Sequence, residues 1–107
     1  MCWLTAALAD PVRQIFIAEH AGVPVGTVRA DLRDGVSMLS WTVAPECRRQ
    51  GFGREMVAVV ARSVSGPIAA EVRVGNIASV RIAEAAGMRL DHEAEGILRF
   101  VRGPIGD

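Results

Sequence analysis

At 107 residues, half of them hydrophobic, the chain has the length of one domain and enough apolar side chains to pack a core. Its 12 Lys+Arg and 12 Asp+Glu cancel to a formal net charge of zero, which removes the electrostatic case for nucleic acid or an anionic membrane as a partner. Two cysteines, Cys2 and Cys47, are too few for the disulfide framework of a small secreted domain, and no stretch approaches the ~20 apolar residues of a membrane span. Both cysteines are read as free thiols in a reducing, cytoplasmic compartment.

The opening stretch, Met1 to Ala9, is apolar but lacks a basic flank, so it is not read as a signal peptide. It reads as the tail of a helix stopped by Asp10-Pro11. Gln14 to Glu19 alternates as a strand, Ala21-Gly22 as a hairpin turn, and Val25 to Leu32 as the return strand. Asp34-Gly35 predicts a second tight turn and Val36 to Val43 a third strand, completing an antiparallel meander. Gly53 to Val64 then changes to helical spacing, with an apolar surface wide enough to be covered on more than one side. Ser65-Gly66-Pro67 ends it. Ile68 to Val74 is a strand, Asn76 to Ala86 a helix closed by Gly87, and Met88 to Glu93 and Ile97 to Arg102 two strands around Gly96. The central strand–helix–strand is a crossover, so the strands at 36–43 and 68–74 should be parallel. The order predicts a single α/β or α+β domain, with a mixed, mostly antiparallel twisted sheet covered by helices on more than one side.

Between the third strand and the first helix lies Arg48-Arg49-Gln50-Gly51-Phe52-Gly53-Arg54. Its glycines permit sharp bends and close approach of a ligand to the backbone. The N–H groups that open the following helix lack partners within it, and the helix dipole favours an anion there. Three arginines add charge that suits phosphate. A dinucleotide-binding fingerprint would need a third glycine where Met56 stands, and a Walker loop would need Gly-Lys-Ser/Thr. Taken alone, the pattern fits an ordinary turn with solvated arginines as well as a phosphate site. Cys47 adjoins the arginines, where a thiolate is favoured, but no His or Asn stands at a recognisable partner spacing.

The segment Val43-x-Pro45-x-x-Arg48-x-x-Gly51-x-Gly53 resembles the pyrophosphate loop of the GNAT acetyltransferases with its Val-x-Pro lead-in. Asn76-x-x-Ser79-x-Arg81-Ile82-x-Glu84-x-x-Gly87-Met88 is similar to that family's Asn-x-x-Ser…Gly-Phe helix, in the form of the RimJ/RimL-like branch. Ala18-Glu19-x-x-Gly22-x-x-Val25-Gly26 resembles its second and third strands. The resemblance implies a splay between the two parallel strands, with backbone groups of Trp41, Thr42 and Val43 pairing with the pantetheine arm of acetyl-CoA as an added strand would. It implies a pyrophosphate cradle from Arg48, Arg49, Gln50, Gly51, Phe52, Gly53 and Arg54. Asn76 would face the cofactor or simply cap the helix, and Ser79 would sit near the thioester sulfur. No metal is implied. The reaction would be direct attack of a primary amine, from a small molecule or a peptide N-terminus, with the Val43 N–H near the oxyanion.

Three departures accompany the match. The position seven residues after Asn76, where many members carry a Tyr acid, is Ala83, and the chain has no Tyr. Met38 stands where an acidic strand residue is frequent. Ser79 and Glu71 are therefore the catalytic candidates, with His92 and Glu93 behind them. The family's first strand and first helices are missing ahead of Gln14, with a mis-assigned start codon as one simple account. The Gln14–Glu19 strand is then expected at an exposed edge, inviting a homodimer. A non-catalytic acyl-CoA-binding module and a partner-completed fragment are the competing readings.

Overall fold

Three dipeptides fold the chain back on itself. Ala21-Gly22, Asp34-Gly35 and Glu95-Gly96 each have two successive positive φ angles, 51–54° then 78–79°. That is the type I′ geometry whose twist matches the strands it joins. In the computed structural model, which describes residues 3–10 and 12–103, these turns organise a seven-stranded sheet. Its strands are β1 (Trp3–Ala9), β2 (Arg13–His20), β3 (Val23–Arg33), β4 (Val36–Val43), β5 (Ile68–Arg73), β6 (Arg89–Ala94) and β7 (Ile97–Arg102), in the order β1-β2-β3-β4-β5-β7-β6. Two helices interrupt them, α1 (Phe52–Ser63) and α2 (Ile77–Ala85), with a 3-10 turn at Pro45–Cys47. Only β4 and β5 run parallel; every other neighbouring pair is antiparallel.

The first segment departs from expectation. Trp3–Ala9 is a strand, antiparallel to β2, and not the end of a helix. Asp10 makes the hairpin: its N–H donates to the Arg13 carbonyl (3.1 Å), and its carboxylate accepts from the Val12 and Arg13 N–H groups (2.8 and 2.7 Å). Those two bonds hold the Asp10 carboxyl below its ordinary range. Leu and Ala favour helix locally, but pairing with β2 and packing of Leu4 on the core override that preference. A strand therefore does stand ahead of β2, contrary to the expected gap. Gln14–Glu19 is an interior strand between β1 and β3, so the predicted exposed edge, and the homodimer through it, lose their basis. The edges of the sheet are β1 and β6. Cys2 lies outside the described residues.

Both helices share one face of the sheet. Val28, Ala30 and Leu39 from β3 and β4 meet Met56, Val57, Val60 and Ala61 of α1, Ile82 and Ala83 of α2, and Phe100 of β7. The valines of α1 are poor helix formers. Met56, Val57 and Val60 are 0–1% exposed, and burying each contributes roughly 1.5–3 kcal/mol, so packing holds this helix. Its C-terminal carbonyls are capped from the sheet: the Arg102 guanidinium donates to Ala61 (2.9 Å) and Val64 (3.3 Å).

Among the described residues no helix packs on the other face, in contrast to the two-sided cover expected from sequence. There Asp31, 6% exposed, accepts from Arg13 Nε and Arg29 Nε, each at 2.9 Å. Burial pushes its carboxyl up, but the hydrogen bond from Arg13 and the charge of Arg29 outweigh it and hold the group below its ordinary value.

Candidate functional site

The parallel ladder between β4 and β5 is short. It pairs Ser37 with Ile68 and Met38 with Ala69, and then the strands part. Strand alternation fixes which backbone groups enter the opening. The Ser37 N–H donates to the Pro67 carbonyl (3.0 Å) on the β5 side, so Trp41 and Val43 also turn their N–H and C=O toward β5. The Ala44 N–H reaches Val25 on the β3 side (2.8 Å), so the backbone of Thr42 is committed to β3. Of the three residues expected to meet an added strand, Thr42 therefore does not offer its backbone. On the opposite wall the Val74 N–H bonds Gly96 (2.9 Å), which turns the backbone groups of Glu71 and Arg73 into the opening.

At the end of β4 the chain enters the glycine loop. Arg49 and Gly51 both take left-handed backbone conformations, φ +66° and +81°, and Gly51 is the N-cap of α1. The backbone hydrogen bonds of the loop stop at Arg48, whose N–H lies 3.4 Å from the Pro45 carbonyl, and resume at Glu55, whose N–H reaches Gly51 at 3.1 Å. The N–H groups of Phe52, Gly53 and Arg54 precede the helix's own ladder and have no acceptor within it. Gly53 is required by packing: a Cβ there would stand 2.6 Å from Ile82 Cδ1 and 3.2 Å from Val43 Cγ2. The glycine thus lets α1 sit against both α2 and β4.

These pieces border a cleft of about 860 Å³. Trp41, Thr42, Val43, Arg48, Arg49, Gly51, Phe52, Gly53, Arg54, Asn76 and Ser79 all line it. Gln50 does not; its side chain turns back to the Glu46 carbonyl (3.2 Å). Arg81, Ile82, Ala78 and Cys47 join the lining without having been singled out as binding residues. Ile82 stands three residues after Ser79, the helical spacing that would have found it; Ala78 and Arg81, one residue before and two after Ser79, carry no such signal. Arg81 matters most, because the cleft then holds four arginines and no acidic side chain. Arg48 Nε also leans on the Val43 carbonyl at 3.4 Å.

The two catalytic candidates are separated by the sheet. Asn76 caps α2, its Oδ1 accepting the Ser79 N–H at 3.2 Å. The Ser79 hydroxyl in turn accepts from the indole Nε1 of Trp41 at 3.3 Å. Glu71 lies on the other face, 57% exposed, with Arg99 Nη1 at 3.9 Å. Extending the β4–β5 register by two residues puts Glu71 across the opening from Ser40, so it borders the same gap from the far side. His92 bonds the neighbouring Asp91 (2.7 Å) on the exposed strand β6, and Glu93 is exposed beside it. Ala83 is fully buried among core side chains and is no part of the cleft. Among the described residues no group of three or more His, Cys, Asp and Glu is placed to hold a metal, and no helix is long and apolar enough to cross a membrane.

The model of the acetyltransferase (GNAT) family matches residues 2–88, well over half of the sequence. The chain belongs to the GNAT acetyltransferase family. Similar solved structures share its fold at low identity. The spermidine N-acetyltransferase of Vibrio cholerae, solved with CoA and spermine, is 19% identical, with a TM-score of 0.73 over 87% of this chain and 66% of that one. The Campylobacter jejuni N-acetyltransferase PseH is 11% identical, with a TM-score of 0.70 over 88% and 70%. The Salmonella typhimurium protein yncA, solved with acetyl-CoA, is 17% identical, with a TM-score of 0.73 over 85% and 64%. The chain thus spans about two thirds of the length of these relatives. No curated protein matches it at a significant level. Membership holds for the family as a whole; these matches do not support the RimJ/RimL-like branch.

Proposed function

We propose that this chain binds acetyl-CoA in the arginine-lined cleft and transfers the acetyl group directly to a primary amine of a small molecule or a peptide N-terminus. One observation carries the reading: four arginines and no acidic residue line a cleft beside the opening between β4 and β5. A diphosphate is the charge complement of that cleft, with the amides at the start of α1 as its donors. The pantetheine arm would follow the free edge of β4, hydrogen-bonding to the backbone of Trp41 and Val43.

The chain's own groups then divide the reaction. The amine nitrogen attacks the thioester carbonyl carbon, and an N–H on the edge of β4 receives the developing oxyanion. The carbon–sulfur bond breaks and the electrons leave on sulfur. A serine hydroxyl is a far weaker acid than a thiol, so Ser79 stabilises that sulfur by donating a hydrogen bond without losing its proton. The proton given up by the amine passes through water to Glu71 and returns from solvent to the thiolate, leaving an amide and free CoA. The same reading places the protein in the cytoplasm.

A second reading, a non-catalytic acyl-CoA-binding module, rests on Ala83 being buried and on Met38 occupying β4. Calorimetric titration with acetyl-CoA, followed by thiol release over a panel of primary amines, separates the two. Binding with turnover supports the transferase; binding without turnover on any amine supports the module; no binding overturns both.

A further inference from the structure

The hydrogen bond between β4 and α2 concerns the leaving group. An indole Nε1–H can only donate, so at 3.3 Å from Trp41 the Ser79 oxygen must be the acceptor. A free serine hydroxyl on a helix usually turns its proton to the carbonyl one turn back, where it serves no ligand. With the indole occupying one lone pair, the O–H vector is restricted to the remaining directions. Asn76 fixes the other end of the same residue by accepting its N–H (3.2 Å), so backbone and side chain of Ser79 are both anchored. Trp41 itself is held from two sides: it is half-buried against the core, and it stands opposite Val28 in the β3–β4 ladder.

Resting on the acetyl-transfer reading above, we infer that Trp41 is a positioning residue, whose indole N–H orients the Ser79 hydroxyl so that its proton faces the departing sulfur of acetyl-CoA. The bonds that form and break are those already given; Trp41 exchanges no proton. It lowers the barrier to expulsion of the thiolate through Ser79 and leaves cofactor affinity nearly untouched. Trp41→Phe keeps an aromatic ring at this position and removes the donor together with part of the indole's volume, and a double variant with Ser79→Ala separates the two effects.

Steady-state kinetics with a saturating amine test this. Trp41→Phe should lower kcat about three- to tenfold, the worth of one neutral hydrogen bond, with KM for acetyl-CoA within about twofold of wild type. Ser79→Ala should lower kcat at least as much. The double variant should be no slower than Ser79→Ala alone, because the indole acts only through that hydroxyl. Wild-type kcat in Trp41→Phe, or additive losses in the double variant, overturns the inference. Should Trp41→Phe fail to fold, the bond is read directly: the chain has two tryptophans, and one indole N–H resonance must move upfield in Ser79→Ala. Two unmoved indole resonances also overturn it. Wild-type protein that binds acetyl-CoA but turns over no amine would instead overturn the transferase reading, a separate outcome.

Discussion

Replacing Arg49 with glycine should move stability and ligand binding in opposite directions. At φ +66° Arg49 occupies the left-handed region, which costs an L-residue about 1–2 kcal/mol and glycine nothing. Glycine's greater freedom in the unfolded chain offsets about 0.4–1 kcal/mol of that, leaving a net gain of about 0–1.6 kcal/mol. The ligand-free variant should melt between the wild-type temperature and about 13 °C above it. Binding moves the other way, because one of four cleft arginines is gone. A hydrogen bond to a charged group contributes about 1.5–3 kcal/mol, so Kd for acetyl-CoA should rise about 10- to 150-fold. At a ligand concentration about 100 times the wild-type Kd, acetyl-CoA should stabilise the wild type by about 2.7 kcal/mol. With a Kd about 30-fold weaker, the same concentration gives about 0.9 kcal/mol. Thermal melts with and without acetyl-CoA, alongside titration calorimetry, read both quantities. An undiminished ligand-induced shift would refute the placement of Arg49 in the anion site. A ligand-free variant melting well below wild type would refute the account of its backbone.

Three further outcomes follow from the fold. Gly26→Ala would drive a Cβ into the Thr42 backbone carbonyl and press it against Met56 Cε (3.0 Å), so it should cost about 1–3 kcal/mol in urea unfolding. Arg102→Met keeps an apolar stem but uncovers the Ala61 and Val64 carbonyls at the end of α1, and should lower stability by about 1–3 kcal/mol in the same assay. The folded-state pKa of Asp31 is below its ordinary value of 3.8, so the unfolded chain takes up that proton first. Its stabilisation is complete above 3.8 and is lost as pH falls through the lower folded value. Asp31→Asn should therefore be less stable at neutral pH and show a flatter acid limb when unfolding is followed down to about pH 2.

Local chemistry made much of the architecture readable. The I′ turns announced themselves as Ala-Gly and Asp-Gly between alternating segments, because only a few residue types tolerate two positive φ angles. The glycine loop was legible for a related reason: Gly51 needs φ +81° and Gly53 a close contact, and both demands leave a mark in the sequence. Asn76 was readable as a cap because its side chain bonds the backbone three residues on. The first strand was not legible, since seven residues rich in Ala and Leu carry no strand signature. Its conformation is set by β2, which lies beyond the turn at Asp10.

By itself the sequence determined the order of β2 to β7, both helices and the loop with its arginines, because periodicity, turn residues and glycine demands act over a few neighbours. Only the tertiary structure decided that β1 covers β2, that Arg81 joins the cleft, that Thr42 turns its backbone away, and that the indole of Trp41 meets Ser79. Each of these joins residues far apart in the chain, or depends on which side of a strand a group faces. Pairing and packing fix such relations, and no local propensity encodes them.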